Sequence, residues 1–211
     1  MWESFVETVR QWQSITAAVI GGIFALLVAI IVGHIVRHRE DRASGMLLVG
    51  SLVQLMGRKA ALETLMTKQA VPDANRHKWL AEKLVQSRPK LSSLFEASVV
   101  RLMPAHKHLA AHLELLKTFV ADMDEALDRL DNDYKNLHEK DKPLRPIANV
   151  DADAESATIC FNAAVRHAEC AKRLIAQFVL GRFPWFQHMR QYLFPTKEEA
   201  KCQKLLKTGD A

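Results

Sequence analysis

The sequence predicts an all-α protein: one N-terminal transmembrane helix followed by a cytoplasmic helical bundle dominated by a long antiparallel helical hairpin. Three observations predict it. Residues 15–36, ITAAVIGGIFALLVAIIVGHIV, form an uncharged apolar run, and a helix needs roughly 20 such residues to cross a bilayer. Leu109, Leu113, Leu116, Val120, Met123, Leu127, Leu130, Tyr134 and Leu137 recur at steps of four and three, the spacing that keeps one seam of a helix facing a partner. After the polar, proline-bearing connector HEKDKPLRPIANVDAD, the spacing returns in Ala157, Phe161, Ala164, Ala168, Ala171, Ile175 and Phe178.

Composition narrows the functional classes. A chain of 211 residues, 49% hydrophobic with 8 Gly and 7 Pro, suits one globular domain with an appendage. The net charge of +5 is not gathered into a basic block, so a nucleic-acid partner is not indicated. Cys160, Cys170 and Cys202 show no CxxC spacing and are expected as reduced thiols rather than as a disulfide framework. Three cysteines alone do not make a zinc site.

Residues 1–14 read as an external interfacial leader, because Trp2, Phe5, Val9 and Trp12 share one helical face and Trp favours the headgroup level. The leader carries two Glu against one Arg, and the apolar run is longer than the core of a signal peptide, so residues 15–36 are expected to stay attached as the transmembrane helix. Arg37, Arg39 and Arg42 follow the run while only Arg10 precedes it. The positive-inside rule then puts the N-terminus outside and residues 37–211 in the cytoplasm, at the cell membrane or the inner membrane of a bacterium. Trp2, Trp12, Arg37, Arg39 and Arg42 would mark the two membrane interfaces.

Within the run, Ala17, Gly21, Ala25, Ala29 and Gly33 fall at every fourth position. Small residues let helix backbones approach closely in lipid, where packing rather than exclusion from water drives association. A homo-oligomer is therefore expected. Four residues turn about 400°, so the stripe drifts by about 40° per step and cannot face one straight partner along its whole length. Several copies enclosing a pore is one form such an assembly could take.

Beyond the membrane, Leu48, Leu52, Leu55, Leu62 and Met66 form a stripe on a packing helix whose apolar core, Met46 to Met56, is too short to span. Val71-Pro72-Asp73 reads as a stop and an N-cap opening a helix through Trp79, Leu80 and Leu84 to Arg88-Pro89. Ser93 and Glu96 have capping-box spacing for the next helix, which should end near Met103 before Pro104. The hairpin is placed at residues 105–181. Its seam sets Leu109, Leu113, Leu116, Val120, Met123, Leu127 and Leu130 against Phe161, Ile175, Phe178 and the intervening alanines, and Gly181 is expected as a left-handed C-cap. Residues 182–211 form an aromatic and basic tail. Phe183, Trp185, Phe186, Tyr192 and Phe194 read as a plug on the bundle end, the alternative being a return to the inner leaflet with the aromatics in the interface and the lysines on anionic headgroups, and Thr196 with Glu199 as a capping box for a lysine-rich helix.

Chemistry-bearing patterns are sparse. His108 and His112 stand one turn apart, a spacing that can share a metal, but Leu109 occupies the Glu position of HExxH and no third ligand follows along the helix. Asp124, Asp128 and Asp131 share a face without the glycine or terminal glutamate of a calcium loop and read as a solvated surface. No metal, cofactor or catalytic residue is expected. Arg101 to His106 and Arg182 to His188 fit the R-x4-H and R-x5-H spacings of HEPN-type helical ribonucleases, yet 14 Arg and 9 His supply such spacings by chance and no membership follows. The expected function is that of a non-catalytic single-pass membrane protein. It would self-associate through its transmembrane helix and present a cytoplasmic helical domain to a protein partner, as a scaffold, adaptor or membrane-acting, pore-forming assembly. The alternative is a membrane-tethered helical nuclease of HEPN-like type using those Arg and His residues.

Overall fold

A computed structural model describes the backbone of residues 2–104, 106–136, 146–181 and 184–208, and the side chains of 12–13, 15–104, 106–135, 146–181 and 189–207. Among these residues every regular element is a helix. The elements are α1 (Trp2–Lys68), a 3-10 turn (Asp73–Asn75), α2 (Arg76–Gln86), α3 (Phe95–Leu102), α4 (Lys107–Asn136), α5 (Ile147–Leu174) running into a π-helical turn (Ile175–Val179), α6 (Pro184–Leu193) and α7 (Lys197–Thr208). Two compact units are present, Met1–Arg42 and Ala43–Ala211.

The first unit is built from the N-terminal part of α1. Residues 15–36 are exposed on every face, and an 18-residue window there reaches a mean hydropathy of 2.8 with 0% buried. It is the one helix among the described residues long and apolar enough to cross a membrane.

In the second unit, α4 and α5 form the centre. They run antiparallel, since His112 near the start of α4 meets His167 near the end of α5, while Arg129 near the end of α4 donates to Asp153 near the start of α5 at 2.9 Å. Leu109, Leu113, Leu116, Val120, Met123, Leu127 and Leu130 are buried from one side, and Phe161, Ile175 and Phe178 from the other. Ala157, Ala164, Ala168 and Ala171, all at 0% exposure, are small enough to let the leucines of α4 fill the seam. Leu48, Leu52, Leu55 and Leu62 of α1 join the same buried cluster with Leu80 and Leu84 of α2 and Phe95, Val99 and Leu102 of α3. Gly45 permits a close approach: a Cβ there would stand 2.8 Å from Val179 Cγ1 and 3.2 Å from Ile175 Cγ2.

The connections are set by local chemistry. Helix α1 ends at Ala70 with φ 49°, where Val71 N donates to Met66 O at 3.2 Å, a closure that usually falls to glycine. Pro72 then blocks continuation, and Asp73 pairs with Arg76 at 2.7 Å. The segment between α2 and α3 is tied down by Arg88, which pairs with Asp128 and lies 3.8 Å from Asp131. The acidic face of α4 is thus partly ion-paired rather than simply solvated.

Three local expectations are corrected. The Ser93–Glu96 capping box does not form: Ser92 Oγ accepts from Leu94 N at 3.2 Å, and Glu96 turns away to Lys117 at 2.8 Å. Gly181 is not left-handed; α5 ends through the π turn, with Leu180 N donating to Ile175 O at 2.9 Å, and glycine is required because a Cβ would sit 2.2 Å from Gln177 O. Tyr192 and Phe194 do not plug the bundle, being 89% and 74% exposed. The side chains of Phe183, Trp185 and Phe186 lie outside the described residues. The Thr196–Glu199 capping box does form, with Glu199 Oε2 accepting from Thr196 N at 2.7 Å and Thr196 Oγ1 from Glu199 N at 3.3 Å. Arg190 pairs with the other Glu199 oxygen, which lets this carboxylate stand at 1% exposure.

Candidate functional site

Most titratable side chains in the second unit are exposed or half-exposed; among the buried exceptions, which include Asp133 and Asp153 at the far end of the hairpin, His112, His167, Cys170 and Cys202 lie close together. His112 of α4 and His167 of α5 meet across the interface of the two helices, at 0% and 3% exposure. Their Nδ1 atoms are 2.8 Å apart. One ring must donate and the other accept, because a neutral imidazole carries one N–H. Phe119 stacks against His167 at a centroid distance of 5.5 Å.

Helix α7 closes this place. Cys202 is joined to Cys170 of α5 by a disulfide, with the Cα atoms 5.7 Å apart. This corrects the expectation of reduced thiols: α5 and α7, distant in sequence, bring the two cysteines within the separation a disulfide spans. Cys160 is free and half-buried, and burial pushes its thiol pKa up. A ring nitrogen of His112 and the two sulfur atoms all lie within 4.8 Å of one another. Nδ1 of His112 is engaged by His167, while its Nε2 is buried without a well-formed hydrogen bond, although the Cys202 backbone lies close enough to the ring to favour a proton on it. One turn back on α4, Nδ1 of His108 is also buried and unpartnered.

The electrostatics are uniform. Burial, reinforced by repulsion from His167 and His108, lowers the pKa of His112 to about 4, with the nearby Cys202 backbone opposing the shift. Burial likewise lowers His167, and burial with the charges of Lys107 and Lys207 lowers His108. The three imidazoles are therefore neutral near pH 7, the form that binds metals.

The residues singled out by spacing fall elsewhere. Arg101 is exposed at the end of α3. His106 is buried at the start of α4, stacked on Phe178 at 4.2 Å and bonded to Gln191 Oε1 at 3.0 Å, with Nδ1 accepting from Leu109 N at 3.3 Å as a helix-start contact. The side chains of Arg182, His188 and Trp2 lie outside the described residues. Arg37, Arg39 and Arg42 are exposed, as is Trp12 at 66%. Ala17, Gly21, Ala25, Ala29 and Gly33 are exposed, and a Cβ at Gly21 or Gly33 would meet nothing within 4 Å.

A cavity of about 670 Å³ opens between the C-terminal end of α1, the 3-10 turn, α2 and α5, with Phe161 and Leu80 on its floor. Its charged rim is internally paired, Lys59 with Glu63 at 3.7 Å and Asp73 with Arg76 at 2.7 Å.

Sequence reasoning did not bring His167, Cys170 and Cys202 to His112. His112, the turn of α5 that carries His167 and Cys170, and Cys202 are far from one another along the chain. No spacing along the chain singles them out, because a residue beside a stripe position is turned about 100° away from it. No protein-family model matches this chain, and neither does any curated protein or solved structure.

Proposed function

We propose that this is a single-pass membrane protein that self-associates through the apolar part of α1 and holds a helical bundle, residues 43–211, at the membrane surface for a protein partner. The carrying observation is the 18-residue window of mean hydropathy 2.8 with no residue buried. An exposed apolar helix of that length is unfavourable in water at roughly 25 cal/mol per Å², whereas a bilayer satisfies it on all sides. The small-residue stripe supports association, because among the described residues a Cβ at Gly21 or Gly33 would meet nothing within 4 Å.

The paired α4 and α5 helices give the bundle its rigid centre, a scaffold or adaptor surface rather than a reaction site. Orientation rests on Arg37, Arg39 and Arg42 alone. The cysteines lend this orientation no support, since Cys170 and Cys202 are bonded.

Alkaline extraction of membranes tests the anchor. The wild-type chain should stay in the pellet, and the double variant Ile23→Arg with Leu27→Arg should be released, because each arginine at a helix centre costs roughly 2.5–3.5 kcal/mol of insertion. Release of the wild type would overturn the reading.

A further inference from the structure

The cluster where α4, α5 and α7 meet has the composition of a metal site. Two sulfur atoms and a ring nitrogen of His112 lie within 4.8 Å of one another, and His112, at 0% exposure, has an unpartnered Nε2. A buried imidazole nitrogen without a partner is costly in a folded protein. The His112–His167 contact explains which nitrogen is available. If His112 donates its Nδ1–H to His167, its Nε2 carries a lone pair, the tautomer in which a ligating histidine hands its other N–H to an outer partner.

We propose that, once the Cys170–Cys202 bond is reduced, the two thiolates and His112 Nε2 bind a zinc ion, with the His108 side chain, which lies outside the 4.8 Å group, rotating in to supply the fourth ligand. His108 stands one turn from His112 on α4, the helical spacing that places two imidazoles on one ion. Its Nδ1 is buried and unpartnered.

The chemistry balances as a two-step exchange. A dithiol reductant gives two electrons and two protons to the Cys170–Cys202 disulfide, forming two thiols and becoming a disulfide itself. Zinc then displaces one proton from each thiol. The sulfur atoms must part from bonding distance to about 3.8 Å, the tetrahedral edge for Zn–S bonds of about 2.3 Å. The same two cysteines thus close the bundle in either redox state: by a covalent bond when oxidised, by a metal when reduced. This inference does not depend on the membrane reading, because every residue in it belongs to the second unit.

The test is metal analysis of the full chain in mild detergent, oxidised and reduced, after equilibration with zinc and desalting. The reduced protein should retain one zinc per chain and the oxidised protein none. Cobalt added to the reduced protein should give thiolate-to-metal charge-transfer absorption and the strong d–d bands of tetrahedral coordination.

Cys170→Ser and Cys202→Ser should lose both signals, and Cys160→Ser should keep them. His112→Gln and His108→Gln should each weaken affinity by at least about 100-fold, more than the 10- to 100-fold expected of the outer partner in His167→Phe. Circular dichroism of each variant separates loss of the site from loss of the fold, and the cobalt spectrum of the reduced wild type decides the matter even where a variant does not fold. Stoichiometric zinc without thiolate-to-cobalt absorption, or zinc retained by both serine variants, for instance on His34 and His38, would overturn the proposal. So would a reduced protein that retains no zinc.

Discussion

His112 and His167 meet Nδ1 to Nδ1 at 2.8 Å inside the α4/α5 seam, each ring neutral and one donating to the other. The pair occupies positions that would otherwise be filled by apolar side chains. It stays there because each imidazole satisfies the nitrogen of its neighbour and because burial keeps both uncharged.

That arrangement makes stability depend on pH. The pKa of His112 falls from 6.5 to about 4 on folding, so the unfolded chain binds the proton more tightly. The associated stability is complete above about pH 6.5 and is lost as pH falls toward 4, by at most about 3 kcal/mol. Urea titrations of the detergent-solubilised protein at pH 7.5 and pH 5 should show a lower midpoint at pH 5. In His112→Gln the difference should shrink; an unchanged difference would mean that other groups carry the titration.

The disulfide closes a loop of sequence separation 32, which by chain entropy contributes about 3–4 kcal/mol. Reduction in the presence of a metal chelator should lower the melting temperature of the wild type. The same treatment should leave Cys170→Ser where it was, and Cys160→Ser should behave as wild type. Equal melting temperatures for oxidised and reduced wild type under chelation would contradict a stabilising bond.

Single backbone positions offer a contrast within one helix. Gly45→Ala puts a methyl 2.8 Å from Val179 Cγ1 and should destabilise by about 1–3 kcal/mol. Gly50→Ala, with nothing within 4 Å, should stabilise by about 0.5–1 kcal/mol through helix propensity. Ala70→Gly, at φ 49°, should also stabilise, by about 1 kcal/mol. Thermal melts of the three variants check the signs.

The legibility of the chain follows physical range. The stripe on α4 and the alanine series on α5 are written at helical spacing, so their burial could be anticipated residue by residue. Thr196 and Glu199 form their capping box because a cap involves only neighbours in sequence. Ser93 and Glu96 have the same spacing and form none, because Lys117 from α4 captures the carboxylate. Cys170 and Cys202 meet because α7 packs against α5, and His167 meets His112 because α5 pairs with α4; no local pattern encodes either packing. At the end of α5, Gly181 serves a steric need against Gln177 O rather than a left-handed turn, a need that the local sequence does not display.

The most direct measurement of the central claim is the oligomeric state of the full chain in mild detergent, wild type beside Gly21→Ile. Wild type should sediment as a defined oligomer across a range of protein-to-detergent ratios, and Gly21→Ile should shift toward monomer, because a bulky side chain at that exposed position prevents the close approach of backbones. A wild type that is monomeric at every ratio, or a Gly21→Ile variant that assembles like wild type, would contradict it.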